Sequence, residues 1–141
     1  MRLVLDASVL VALIVQETHS ERALGLVAGQ APDALLVSDF AMLEVASAIG
    51  RRVRMTSLTE AEGRRVLDNL GLWCAQATTP CALSPADVAR ARAWLERLDL
   101  NLRAPDALHL AMAQRLDVRL ATLDEGLGRA AHGLGVGVEP P

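Results

Sequence analysis

Short apolar runs alternate with longer stretches of helical periodicity along this chain. Arg2 to Leu5 (RLVL) is an apolar run stopped by Asp6, the pattern of a buried strand, and Val9 to Val15 continues at helix length. His19 to Gln30 carries Ala23, Leu24, Val27 and Ala28 at helical spacing, and the Ala31-Pro32-Asp33 break leads into a second strand, Ala34 to Val37. Ser38 and Asp39 offer caps for a helix from Phe40 to about Arg51. Thr59 and Glu62 form the capping-box pattern of a helix carrying Val66, Leu67, Leu70 and Trp73. Ser84-Pro85-Ala86-Asp87 opens another, running through Trp94 and Leu98, and between these two helices Thr78 to Leu83 has room only for a short strand. Pro105 opens a helix from Asp106 to about Leu116. A strand from Val118 to Ala121, a helix from Asp124 to about His132 and a last strand over Val136 to Val138 complete the order.

Strands alternating with helices over the whole length predict an α/β fold in three layers, a short, mostly parallel sheet flanked by helices on both faces. No linker, repeat or low-complexity stretch divides residues 1–141, so a single domain is expected. In such sheets ligands bind beyond the carboxyl ends of the strands, where the connections diverge. Residues just past a strand therefore carry the search for function.

Four carboxylates answer it. Asp6 directly follows the first strand, and Asp124 lies just beyond the Val118 to Ala121 strand with Thr122 between. Glu44 sits about one turn into its helix and Asp106 in the first turn of its own. Each has a local alternative: Asp6 and Asp124 can cap the helices that follow them, and Asp106 can favour its helix dipole or pair with Arg103. Glu44 has no base among its helical neighbours Phe40, Ala41, Ser47 and Ala48, so it is either turned to solvent or held for a purpose. Carboxylates gathered at one rim stay ionised only with positive charge among them, and Lys is absent from the chain, all 14 basic residues being Arg. A hard divalent cation, Mg²⁺ or Mn²⁺, held by one or two carboxylates and waters supplies that charge. Zinc fits less well: His19, His109 and His132 form no ligand pair, and His109 reads as a core residue or a support to a ligand.

The segments LVLDASVLVAL, FAMLEVASAI, APDALHLAMA and ATLDEGL, which carry Asp6, Glu44, Asp106 and Asp124, resemble the PIN domain, and within it the VapC-type ribonuclease toxins of bacterial toxin-antitoxin pairs. The resemblance covers essentially the whole chain, although Arg51 to Leu83 carries no matching motif. It implies a three-layer PIN-like fold and a metal-dependent endoribonuclease. Asp6, Glu44, Asp106 and Asp124 are then catalytic metal ligands, supported by Ser8 and Thr122, and a water activated by Mg²⁺ or Mn²⁺ hydrolyses the RNA phosphodiester. It further implies a tRNA or ribosomal RNA substrate, a VapB-like antitoxin as partner, and a homodimer.

Composition narrows the alternatives. The missing Lys excludes a Walker-A loop, a Schiff-base enzyme and a receiver-type phosphoacceptor, and it weakens a haloacid-dehalogenase-type phosphatase, which also wants a second Asp where Ser8 stands. A non-catalytic α/β interaction module remains as the other reading, with Val66, Leu67, Leu70 and Trp73 as an apolar contact surface. The net charge of −3 opposes nucleic-acid binding until the four candidate ligands are set aside, after which the remainder is slightly positive. Arg51, Arg52 and Arg54 form a basic cluster suited to RNA phosphates or an acidic partner, and aromatics at 2% leave little for base stacking. Cys74 and Cys81, without a CxxC spacing, read as reduced, and no apolar run reaches bilayer length, so a cytoplasmic protein away from membranes is expected.

Overall fold

The computed structural model describes residues 1–139. Five strands, β1 (Leu3–Leu5), β2 (Leu35–Ser38), β3 (Thr79–Cys81), β4 (Arg119–Ala121) and β5 (Val138–Glu139), form one sheet in the order β3-β2-β1-β4-β5. Every described pairing is parallel. Seven helices are described: α1 (Ala7–Ile14), α2 (Ser20–Val27), α3 (Asp39–Arg54), α4 (Glu60–Ala77), α5 (Pro85–Leu95), α6 (Ala104–Leu116) and α7 (Glu125–Gly133). None of them is long and apolar enough to cross a membrane.

Side chains of β1 alternate between two cores, which is why its run is apolar at every position. Leu3 and Leu5 join Leu35, Val37 and Ala121 beneath α1 to α4, while Val4 joins Leu36 and Leu120 beneath α6 and α7. α5 forms an outer piece, packed on α6 through Ala91, Ala107 and Ala111. Leu70 is fully buried, and Val66, Leu67 and Trp73 are half-buried against the same core, so the Trp stripe of α4 is mainly structural. α4 crosses α3 closely at Gly63, where a Cβ would lie 3.0 Å from Val53 Cγ2 and 3.3 Å from Ile49 Cγ2.

The strand order sets the place of the site. From β1 the chain steps to β2 and β3, then returns to the other side of β1 to lay down β4, so the connections diverge between β1 and β4. Leu5 pairs with Ala121 there, and the Asp6 amide donates to the Ala121 carbonyl at 3.1 Å, so the residues after both strands leave the sheet side by side.

Several boundaries shift by one to three residues from those the sequence predicts, among them the end of α2 at Val27, β2 at Leu35–Ser38 and the end of α3 at Arg54, and two of the shifts have a clear cause. The last strand lies over Val138–Glu139, not Val136 to Val138, because the Val136 amide bonds the Ala131 carbonyl and its side chain fills the core beneath α7. α5 stops at Leu95, and Leu98 is 90% exposed with φ 63°. A left-handed leucine costs ~1–2 kcal/mol and gains nothing here from burial. Leu98→Gly is expected to raise the urea midpoint by an amount equal to about 0.5–1 kcal/mol, part of the relief being offset by the greater freedom of Gly in the unfolded chain. A midpoint that falls would show that Leu98 makes contacts that matter more than its backbone strain.

Candidate active site

Asp6 is only 3% exposed. Its carboxylate caps α1 by accepting from the Val9 amide at 3.1 Å and accepts from the Ser8 hydroxyl at 2.5 Å. Burial pushes the Asp6 carboxyl above its ordinary value, and the hydroxyls of Ser8 and Thr122, the nearby charge of His109 and the Val9 amide pull it back only in part. Ser8 also accepts from the Leu123 amide at 3.0 Å, tying the turn after β1 to the turn after β4. Thr122 is buried, and its hydroxyl accepts from the Asp124 amide at 3.0 Å. Both hydroxyls therefore hold the framework of the site while serving Asp6.

Glu44 projects from α3 towards the same end of the sheet, where a carboxylate oxygen is bonded to Nε2 of His109 on α6. His109 is buried with its ring 5.2 Å from that of Phe40. With Nε2 bonded to Glu44, Nδ1 is the ring nitrogen left buried without a partner. The base that Glu44 lacks on its own helix thus comes from a residue 65 positions away. His109 is the support to an acidic residue that the sequence suggests, though its spacing names no partner.

Asp124 caps α7, accepting from the Leu127 amide at 3.0 Å. Asp106 sits in the first turn of α6 and accepts from the Arg103 backbone amide at 3.4 Å, so the Arg103 partnership is with the main chain. A cavity of about 490 Å³ is lined by Ser8, Glu44 and Asp124 together with Glu17, His19 and Arg52. Asp6 lies under its floor through Ser8; Asp106 is not in its wall. Glu17 and His19 have no motif of their own, Arg52 belongs to the basic cluster seen in the sequence, and Arg52 Nη2 pairs with Glu17 Oε2 at 3.0 Å across 35 positions. Only the folding of the α1–α2 connection against the end of α3 brings these three to the site.

No three Asp, Glu, His or Cys side chains among the described residues are grouped closely enough to hold one ion between them. Glu44 and Asp124 line one cavity with Asp6 beneath it and Asp106 outside its wall, so these carboxylates form no cage. Such an arrangement fits a cation that keeps most of its waters and takes one or two carboxylates, as Mg²⁺ does, and it does not fit a closed all-protein site. All the candidate donors are carboxylate oxygens, which suits a hard ion and disfavours a thiophilic one.

A family model for the PIN domain matches residues 3–133. The chain belongs to the PIN domain family. By sequence, no curated protein matches it. Among solved structures, the PIN protein described here is similar to Mycobacterium tuberculosis VapC20, a sarcin-ricin loop cleaving toxin, with 17% identity, a TM-score of 0.76 and coverage of 99% of each chain. It is also similar to VapBC2 from Rickettsia felis bound to a promoter DNA fragment, with 16% identity, a TM-score of 0.70, and 99% and 98% of the two chains covered. FitAcB from Neisseria gonorrhoeae gives 17% identity and a TM-score of 0.71 over 96% and 95%. At these identities the likeness is one of fold, and it agrees with the three-layer α/β architecture that the sequence predicts.

Proposed function

We propose that this PIN protein is a metal-dependent endoribonuclease and the toxin component of a VapBC-type toxin-antitoxin pair. The observation that carries the reading is the buried Asp6 carboxylate at the divergence of β1 and β4, held by the Ser8 hydroxyl and the Val9 amide beneath a cavity that Glu44 and Asp124 line. A carboxylate held where burial opposes its charge is a stored cost, and function is the usual reason for keeping one. A non-catalytic interaction module has no use for it. A haloacid-dehalogenase-type phosphatase is set aside by the family.

In this reading Asp6 and Glu44 are the direct ligands of Mg²⁺ or Mn²⁺, with Asp106 and Asp124 acting directly or through water. A divalent cation, when bound, supplies the positive charge that lowers the pKa of a water and offsets charge developing on the scissile phosphate. The chain supplies placement. Ser8 fixes the Asp6 carboxylate, His109 fixes Glu44, and the cap on α7 together with the Thr122 hydroxyl fixes Asp124. The substrate is RNA of the transfer or ribosomal class, the regulator a VapB-like antitoxin, and the working form a homodimer in the cytoplasm.

The products test this reading. Hydrolysis by an activated water leaves a 5′-phosphate on the downstream fragment and a free 3′-hydroxyl upstream, whereas attack by the RNA 2′-hydroxyl leaves a 2′,3′-cyclic phosphate. End-group analysis of a defined RNA cleaved in Mn²⁺ should find the 5′-phosphate, and a 2′-deoxy nucleotide at the cut should slow cleavage without stopping it. His109 is buried against Glu44 and unsuited to serve the 2′-hydroxyl, but His19 is exposed on the cavity wall. A cyclic phosphate product would replace the hydrolytic reading with one centred on His19.

A further inference from the structure

A second cavity, of about 730 Å³, opens beside the first and is lined by Glu44, Ser47, Arg51, Arg52, Met55 and Pro105, among others. The two share Glu44, Ala48 and Arg52, which follow one another at intervals of four along α3. That face of the helix is the ridge between them, with an acid at one end and a base two turns away, roughly 12 Å along the axis. A polyanion approaching Glu44, Asp124 and Asp6 meets like charge at each of them, and a cation held there would answer only for the phosphate under attack. Its neighbouring phosphates need their own partner. Of the three arginines in the basic cluster, Arg52 alone lines both cavities, Arg51 faces the outer one, and Arg54 folds back beside Gly50, where its Nη1 lies 3.3 Å from the position of an added Cβ.

Arg52 is also held in place. Its side chain is 31% exposed, and Glu17, 29% exposed, accepts from one terminal nitrogen at 3.0 Å. A guanidinium has five N–H donors in a rigid fork, so Glu17 fixes its orientation and leaves donors for a phosphate. The same carboxylate weakens the attraction to RNA, because a phosphate seated on Arg52 lies close to Glu17 as well.

We propose that Arg52, oriented by Glu17, seats a phosphate of the RNA strand next to the one that is cleaved, which makes it a positioning residue and Glu17 its restraint. This rests on the ribonuclease reading for the identity of the strand. The consequence is two substitutions of opposite sign within one ion pair. A bridge serving only stability predicts the same sign for both.

The test is fluorescence anisotropy with a short labelled single-stranded RNA in EDTA, where nothing is cleaved, and cleavage of the same RNA in Mn²⁺. Arg52→Gln should weaken binding about fivefold and flatten the dependence of log affinity on log salt by about 0.7, the loss of one phosphate contact on a single strand. Arg52→Lys should recover most of the affinity, since an ammonium binds phosphate as a point charge. Glu17→Gln should tighten binding about twofold, and that gain should vanish in the Arg52→Gln background. In cleavage, Arg52→Gln should raise KM about fivefold and move kcat less than about twofold. Thermal melts of each variant separate a folding defect from a binding one. Unchanged affinity and salt slope in Arg52→Gln, or a Glu17→Gln gain that persists without Arg52, overturns the proposal and leaves the ribonuclease reading standing. Loss of binding in Arg52→Gln together with a parent protein that cleaves no RNA overturns the ribonuclease reading and keeps the phosphate seat.

Discussion

Asp6→Asn is expected to lower RNA cleavage by at least about a hundredfold and, in the same protein without metal, to raise the melting temperature. The first effect follows from charge: an amide keeps the shape of the side chain and loses the anion that a hard cation needs, and removing one preorganised electrostatic partner typically costs a factor of about 10²–10³. Glu44→Gln and Asp106→Asn should each cause a comparable loss, and Glu44→Gln retains an oxygen for His109 Nε2. The second effect follows from burial. The carboxyl of Asp6 sits above its unfolded value because burial disfavours the ion, so the native state holds its proton more tightly than the unfolded chain does. For a group shifted upward, the folded state is favoured at low pH, and that advantage is lost as pH rises from the unfolded pKa, about 3.9, through the higher folded one. Above the folded pKa the full penalty is in force, and Asn, an equally good N-cap, removes it. The difference in stability between Asp6→Asn and the parent should therefore grow as pH rises through this window and level off above it. Added Mn²⁺ should raise the melting temperature of the parent and leave that of Asp6→Asn nearly unchanged. Equal stabilisation of both by Mn²⁺, or cleavage by the variant at the parental rate, removes Asp6 from the site.

Asp87→Ala is expected to destabilise the fold by about 2–4 kcal/mol without touching the chemistry. Asp87 is 1% exposed at the start of α5, where its carboxylate accepts from Arg115 Nε at 2.7 Å, from Arg115 Nη2 at 2.9 Å and from the Ser84 amide at 2.8 Å. Arg115 also donates to the Ala82 carbonyl at 2.9 Å, so one guanidinium joins the end of α6 to the turn before α5. Removing the carboxylate strips α5 of half its capping box and leaves Arg115 with one partner; because that arginine is 35% exposed, water recovers part of the loss. Burial alone would raise the Asp87 carboxyl, but the hydrogen bonds from Arg115 and Ser84 and the arginine charge together outweigh it and hold the group below its ordinary range. For a group shifted downward, stability is present above the unfolded pKa of about 3.9 and is lost as pH falls through the folded value. Urea titrations of the parent should show this acid loss below about pH 4, and those of Asp87→Ala should show less of it. A variant within about 0.5 kcal/mol of the parent at pH 7 would show that Arg115 finds equivalent partners in water.

Much of the architecture was legible in the chain because it is written over short distances. The Thr59 and Ser84 capping boxes, the acid that ends β1 and the apolar run on β1 are local signals, each needing only a few neighbouring residues, and each forms where the spacing places it. The end of α5 was not legible: helical periodicity continues to Leu98, while packing of α5 on α6 is complete by Leu95 and the chain turns with Leu98 in solvent. The same division runs through the candidate site. The sequence by itself determined which acids follow β1 and β4, because position after a strand is a local property and parallel strands discharge at one edge. Only the tertiary structure decided that β4 is laid beside β1, that His109 meets Glu44, that Glu17 meets Arg52 and that Arg115 meets Asp87. Those partners lie 28 to 65 residues apart, and no periodicity reaches that far: such contacts exist because two cores must be filled at once on opposite faces of one sheet.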